Sequence, residues 1–219
     1  MPARESCRWA LPRQAAIHTI GKYFHDYPET LNWLKLQMQE EINPGNESGF
    51  ARWSAVKAVA ENYRNSLETL DWLKAIAKQE IDGGFSRHAA ILSLAEHYQS
   101  DPEVLSLLKS LAQQAKESFV RKTAVEAIVE YFTQTLGVFE LLCEAAVQDP
   151  FQRENSKQFN PRQTILESLL ARYSTHPKTF KVLHNHRAIN DPDEQLREWA
   201  QEQLEIHDAK IKMEVRSNN

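Results

Sequence analysis

The sequence predicts an all-α protein: a right-handed α-solenoid of about five helical hairpins, closed by a C-terminal capping helix. Three observations predict it. The 219 residues include only six glycines and nine prolines, with alanine, leucine, glutamate and lysine abundant, a composition that favours helix. Arg13, Arg52, Arg87, Arg121, Arg162 and Arg197 recur at intervals of 39, 35, 34, 41 and 35 residues, a period typical of stacked helical pairs. Other positions keep step with them. Four residues after the first five arginines lie Ile17, Val56, Ile91, Val125 and Leu166, and twenty-one after lie Leu34, Leu73, Leu108, Leu142 and Leu183.

Each copy reads as helix, tight turn, helix. Positions 3, 4, 7, 8 and 11 after the arginine follow a 3.6-residue period and make one apolar stripe. In the third copy these are Ala90, Ile91, Leu94, Ala95 and Tyr98. The turn comes next, and Pro28, Pro102 and Pro177 stand fifteen residues after their arginines. Proline suits the first turn of a helix, where its missing N–H costs nothing. Asp101 precedes one of them and is a candidate N-cap, and Glu29, Glu68 and Glu103 follow as acids that suit a helix N-terminus. A second stripe then runs through positions 17, 18, 21, 24 and 25. A lone hairpin cannot bury both faces, so stacked neighbours must share one core. The expected units span about 9–45, 46–82, 83–117, 118–150 and 161–191, with a cap over 193–209. Together they form a single domain over 1–211, and the tail 212–219 is expected to fray.

Bulk properties exclude several classes. No apolar run is long enough for a membrane span, and the N-terminal "MPARESCRWALPRQ" lacks the apolar core of a signal peptide. Cys7 and Cys143 are too few for a disulfide framework and suit a reducing, cytoplasmic location. A net charge of −4 argues against a nucleic-acid partner.

The stretch "ESFVRKTAVEAI" (117–128), and more loosely "NESGFARWSAVKAV" (46–59) and "PDEQLREWAQEQL" (192–204), resembles HEAT repeats, in which an acid, an apolar residue and an arginine open an alanine-rich helix. The resemblance implies that the six arginines form an inter-repeat ladder, pairing with acids of adjacent units. "YPETLNWLK", "SDPEVLSLLK" and the insert-bearing "CEAAVQDPFQRENSKQFNPRQTILESLLARYSTHPKTFKVL" are similar to the C-terminal HEAT segment of bacterial NACHT-type signalling ATPases, over about residues 10–207. No phosphate-binding G-x-x-x-x-G-K-[ST] loop is present, so this chain is not the ATPase module itself.

No catalytic, cofactor or metal site is expected. His184 and His186 in "HNHR" lie two apart and face away from each other on a helix. The fifth unit's second helix instead reads as an exposed basic surface with Lys178, Lys181, His184 and Arg187. Cys143 reads as a surface or half-buried thiol. Trp33 and Trp72 share position 20 and read as a seam between second helices, Trp53 and Trp199 as shields of the inter-unit joint, and Trp9 as a cap on the first unit. The insert 148–161 reads as an ordered loop with Phe151 and Phe159 tucked into the joint. In such repeats the second helices line the concave side. Asn32, Asp71, Ser106, Glu140 and Lys181 at position 19, with Lys35, Lys74, Lys109 and His184 at position 22, are therefore the candidate partner-binding residues. Their mixed charge suits a protein or peptide better than a phosphate backbone.

The leading expectation is a non-catalytic protein-interaction module, by resemblance the recognition or regulatory tail of a NACHT-type NTPase. The alternative is an enzyme on a HEAT-like scaffold, such as an alkylpurine DNA glycosylase or a bilin lyase. The glycosylase would need a strongly basic groove around a central carboxylate. Neither the partner's identity nor the oligomeric state can be read from the residues.

Overall fold

The computed structural model describes residues 7–39, 47–79, 84–156, 158–184 and 191–217. Among them are eleven α-helices and no strand. In chain order these are α1 (Cys7–Tyr23), α2 (Pro28–Gln39), α3 (Glu47–Asn62), α4 (Leu67–Lys78), α5 (Phe85–His97), α6 (Pro102–Gln114), α7 (Ser118–Tyr131), α8 (Val138–Gln148), α9 (Pro161–Arg172), α10 (Pro177–His184) and α11 (Glu194–Ser217). The all-α class is what the chain adopts.

The hairpin turn repeats with the same hydrogen bonds each time. The N–H groups of Tyr27, Ser66, Asp101, Thr135 and His176 donate to the carbonyls of Phe24, Tyr63, Tyr98, Phe132 and Tyr173, at 2.8–3.1 Å. Three residues on, Thr30, Thr69, Val104, Val138 and Thr179 donate back to the carbonyls at Tyr27, Ser66, Asp101, Thr135 and His176. These bonds satisfy main-chain groups that a helix end would otherwise leave unpaired. Pro28, Pro102 and Pro177 are the first residues of α2, α6 and α10. Asp101 accepts a 2.8 Å bond from the Glu103 N–H, and Asn160 does the same for Arg162 at 2.9 Å ahead of α9. In the fourth turn Gly137 has φ +82°, a left-handed conformation that a side chain would strain.

The helices form two compact units, Met1–Leu111 and Ala112–Asn219. In the first, α1 packs on α3 and α3 on α5, while α2 lies against α3 and α4 against α5. In the second, α7 packs on α9, α8 contacts both α9 and α10, and α10 contacts α11. The residues in phase are the core. Ile17, Val56, Ile91, Val125 and Leu166 are all at most 2% exposed, and Leu34, Leu73, Leu108, Leu142 and Leu183 at most 1%. Each contributes roughly 1.5–3 kcal/mol by leaving water. Gly21 lets α1 approach α3 closely: a Cβ there would lie 2.8 Å from that of Ala58.

Three details differ from the sequence reading or lie outside it. Phe151 is buried, but Phe159 is 68% exposed, with the Lys122 ammonium 5.5 Å from its ring centre. Polar neighbours leave that ring no apolar pocket to enter. Helix α11 continues to Ser217, past the point where apolar periodicity fades. The Trp9 side chain, and His186 and Arg187 of "HNHR", lie outside the described residues.

Candidate interaction surface on the second helices

Four of the six recurring arginines are inside. Arg52, Arg87, Arg121 and Arg162 are each 4% exposed, Arg197 is half-buried and Arg13 is exposed. A buried guanidinium needs partners for its donors. In the second unit these form a continuous chain. Arg121 reaches Asp149 with Nε at 2.6 Å and Nη2 at 3.1 Å, and its Nη1 donates to the carbonyls of Ala115 and Lys116. The Asp149 carbonyl accepts from Arg162, whose Nη2 lies 2.7 Å from the Asp191 carboxylate. The Asp191 carbonyl in turn accepts from Arg197. These carboxylates stand 28–29 residues beyond their arginines, at the end of the same hairpin, and not in an adjacent unit as the resemblance implied; the links from one hairpin to the next are the main-chain carbonyls of Asp149 and Asp191 that Arg162 and Arg197 reach. Burial pushes the Asp191 carboxyl above its ordinary value against the opposing pull of Arg162.

The insert fastens to the same region. Arg153 donates to Asp193 at 2.7 and 2.8 Å, and Asn160 donates to it at 2.7 Å. Burial would raise the Asp193 carboxyl, but those hydrogen bonds outweigh it and hold it below its ordinary value. In the first unit Arg87 Nε donates to the Ala77 carbonyl at 3.2 Å, and Arg13 reaches Gln37 at 3.1 Å.

A second set of links joins consecutive hairpins at their turns. The Tyr63 hydroxyl donates to the His25 carbonyl, Tyr98 to Arg64 and Tyr173 to Thr133, at 2.8–2.9 Å. Each tyrosine stands eleven residues after its arginine, and each acceptor stands twelve after the preceding one.

The nine residues expected to face a partner divide in two. Position 19 is open throughout: Asn32, Asp71, Ser106, Glu140 and Lys181 are all exposed. Position 22 is half-buried in Lys35, Lys74 and Lys109. There Lys35 pairs with Glu68 and lies 5.8 Å from the Trp72 ring centre. Lys74 holds Asp101 at 3.0 Å and Glu103 at 2.8 Å. The Lys74 ammonium keeps the Asp101 carboxyl below its ordinary value. These two lysines clamp α2 to the N-terminus of α4, and α4 to that of α6. His184, at the same position in the fifth copy, is exposed. Trp33 and Trp72 are half-buried against the first unit's core cluster, as a packed seam requires. Cys143 is half-buried, and burial pushes its thiol up, which disfavours the thiolate.

One cavity escaped the sequence reading. The insert encloses about 430 Å³ against α7 and α9, lined by Lys122, Glu126, Phe159, Gln163, Glu167 and Gln195 among others. The rhythm break and its flanking Pro150 and Pro161 were the available signal, but the hollow depends on where Arg153 anchors the loop. Among the described residues, no group of three or more His, Cys, Asp or Glu is arranged to hold a metal ion. No helix among them is long and apolar enough to cross a membrane. No family model, no curated protein and no solved structure matches this chain.

Proposed function

We propose that the chain is a non-catalytic, cytoplasmic protein-interaction module, a right-handed HEAT-like α-solenoid serving as the recognition or regulatory tail of a NACHT-type NTPase. The supporting observation is that position 19 is open in every hairpin: Asn32, Asp71 and Ser106 in the first unit and Glu140 and Lys181 in the second are all exposed. Around that row, tyrosine hydroxyls, buried arginines and lysine clamps are spent on holding neighbouring hairpins. Varied exposed side chains at one repeated position suit a peptide or protein partner. The row carries both charge signs, which does not suit a phosphate backbone.

The test is site-specific photocrosslinking in the full chain. Crosslinkers placed at Asp71 and Ser106 capture a partner, and one at Thr19 on a first helix does not. Capture from Thr19 alone, or tight and steeply salt-dependent binding to duplex DNA, overturns the reading.

A further inference from the structure

The first hairpin exposes a face that its successors cover. Ile20 is half-buried, while its counterparts Val59, Leu94, Ile128 and Leu169 are at most 1% exposed. Ala16 is exposed, whereas Ala55, Ala90, Ala124 and Ile165 are fully buried. Phe24 and Tyr27 are 47% and 59% exposed and, with Ile20, Glu29, Thr30 and Trp33, line a cavity of about 410 Å³. Glu29 holds the place that Glu68 and Glu103 hold in the next two hairpins. Those glutamates receive Lys35 and Lys74 from the preceding second helix. Glu29 forms no ion pair with any described residue. The face is therefore apolar, with one unanswered acid at the point where this chain uses lysine.

The chain also carries a helix of matching character. In the C-terminal half of α11, Ile206 is 49% and Met213 is 70% exposed, and Ala209 and Lys210 between them are exposed too. The spacing i, i+3, i+4, i+7 puts all four on one stripe. Lys210 forms no ion pair with any described residue. A soluble helix with its apolar stripe in water calls for a partner.

We propose that this chain self-associates in one direction, with the C-terminal half of α11 of one copy seated across the open face of the first hairpin of a second copy. Ile206 and Met213 pack on Phe24, Tyr27 and Trp33, and Lys210 meets Glu29. The two surfaces differ, so the contact is heterologous. Each added copy leaves one face and one helix available, and growth continues past the dimer unless a ring closes. The proposal does not depend on what binds the position-19 row.

Sedimentation velocity of the full chain across a wide concentration range tests it. The wild-type chain grows beyond a dimer as concentration rises. Phe24→Asp blocks the face, Met213→Asp blocks the helix, and each variant alone stays monomeric. Both sites are solvent-exposed, and circular dichroism melts check that the variants remain folded. An equimolar mixture of the two variants forms dimers and nothing larger, because only one productive joint is left. Glu29→Lys and Lys210→Glu each weaken association, and the double variant recovers it. A wild-type chain that stays monomeric overturns the proposal. So does self-association of Met213→Asp, which would indicate face-to-face pairing, or a variant mixture that remains monomeric.

Discussion

Alongside the apolar core, polar side chains placed in an apolar setting tie this protein's helices to one another. Tyr98 donates its hydroxyl to the Arg64 carbonyl at 2.9 Å. Tyr98→Phe removes one net hydrogen bond and lowers the unfolding free energy by about 1 kcal/mol, read from urea denaturation. Arg121 carries more. Arg121→Met leaves the Asp149 carboxylate buried beside an apolar chain and costs about 3–5 kcal/mol. Arg121→Met with Asp149→Leu removes both charges and recovers part of that loss, the remainder being the Ala115 and Lys116 carbonyls and the Phe151 N–H left without their partners; the pair of melts separates the orphaned charge from those lost main-chain bonds. His97 gives a pH dependence. Its ring is largely buried, and Nε2 has no hydrogen-bond partner among the described residues. Burial lowers its pKa below the ordinary 6.5, with Glu96 and Glu61 opposing and Lys57 and Arg64 adding to the shift. As pH falls through that value the unfolded chain takes up the proton first. Stability is therefore full above pH 6.5 and declines below it. Urea midpoints of wild type and His97→Leu, compared from about pH 7.5 to about pH 5.5, show a steeper fall for wild type.

At the scale of helices and turns, much was legible from residue order and some was not. Proline at the start of α2, α6 and α10 and the apolar phase of each stripe are local properties, and the sequence displays them directly. The partners of the arginines are not local. Asp149 and Asp191 reach Arg121 and Arg162 only once a hairpin has folded back on itself, so the repeat pattern points to acids of the neighbouring unit instead. Lys35 and Lys74 looked free for the same reason: exposure of a helix face can be read from its period, but not which acid the next helix brings beside it. Phe159 misled because an aromatic residue in a loop suggests burial, while its surroundings are set by the anchoring of Arg153 to Asp193. Close approach is a further element-scale property. Gly21→Ala forces the α1–α3 contact apart. Overpacking of that kind costs about 1–3 kcal/mol, against about 1 kcal/mol gained in helix propensity. The expected result is a modestly lower melting temperature, whereas the same substitution in an exposed helix would raise it.

Across the whole molecule, stability and exposed chemistry are assigned to different registers of one repeat. The position-19 residues touch little, so Asp71→Ala and Ser106→Ala should each shift stability by no more than about 0.5 kcal/mol while lowering partner capture. Chemical denaturation and crosslinking on the same preparations check both halves. The tyrosine links carry a consequence for how such a chain can diverge. Their acceptors are main-chain carbonyls belonging to a histidine, an arginine and a threonine. Every amino acid brings that oxygen with it, so positions 25, 64 and 133 are free to change their identity while each of the three tyrosines keeps its grip on the turn before it.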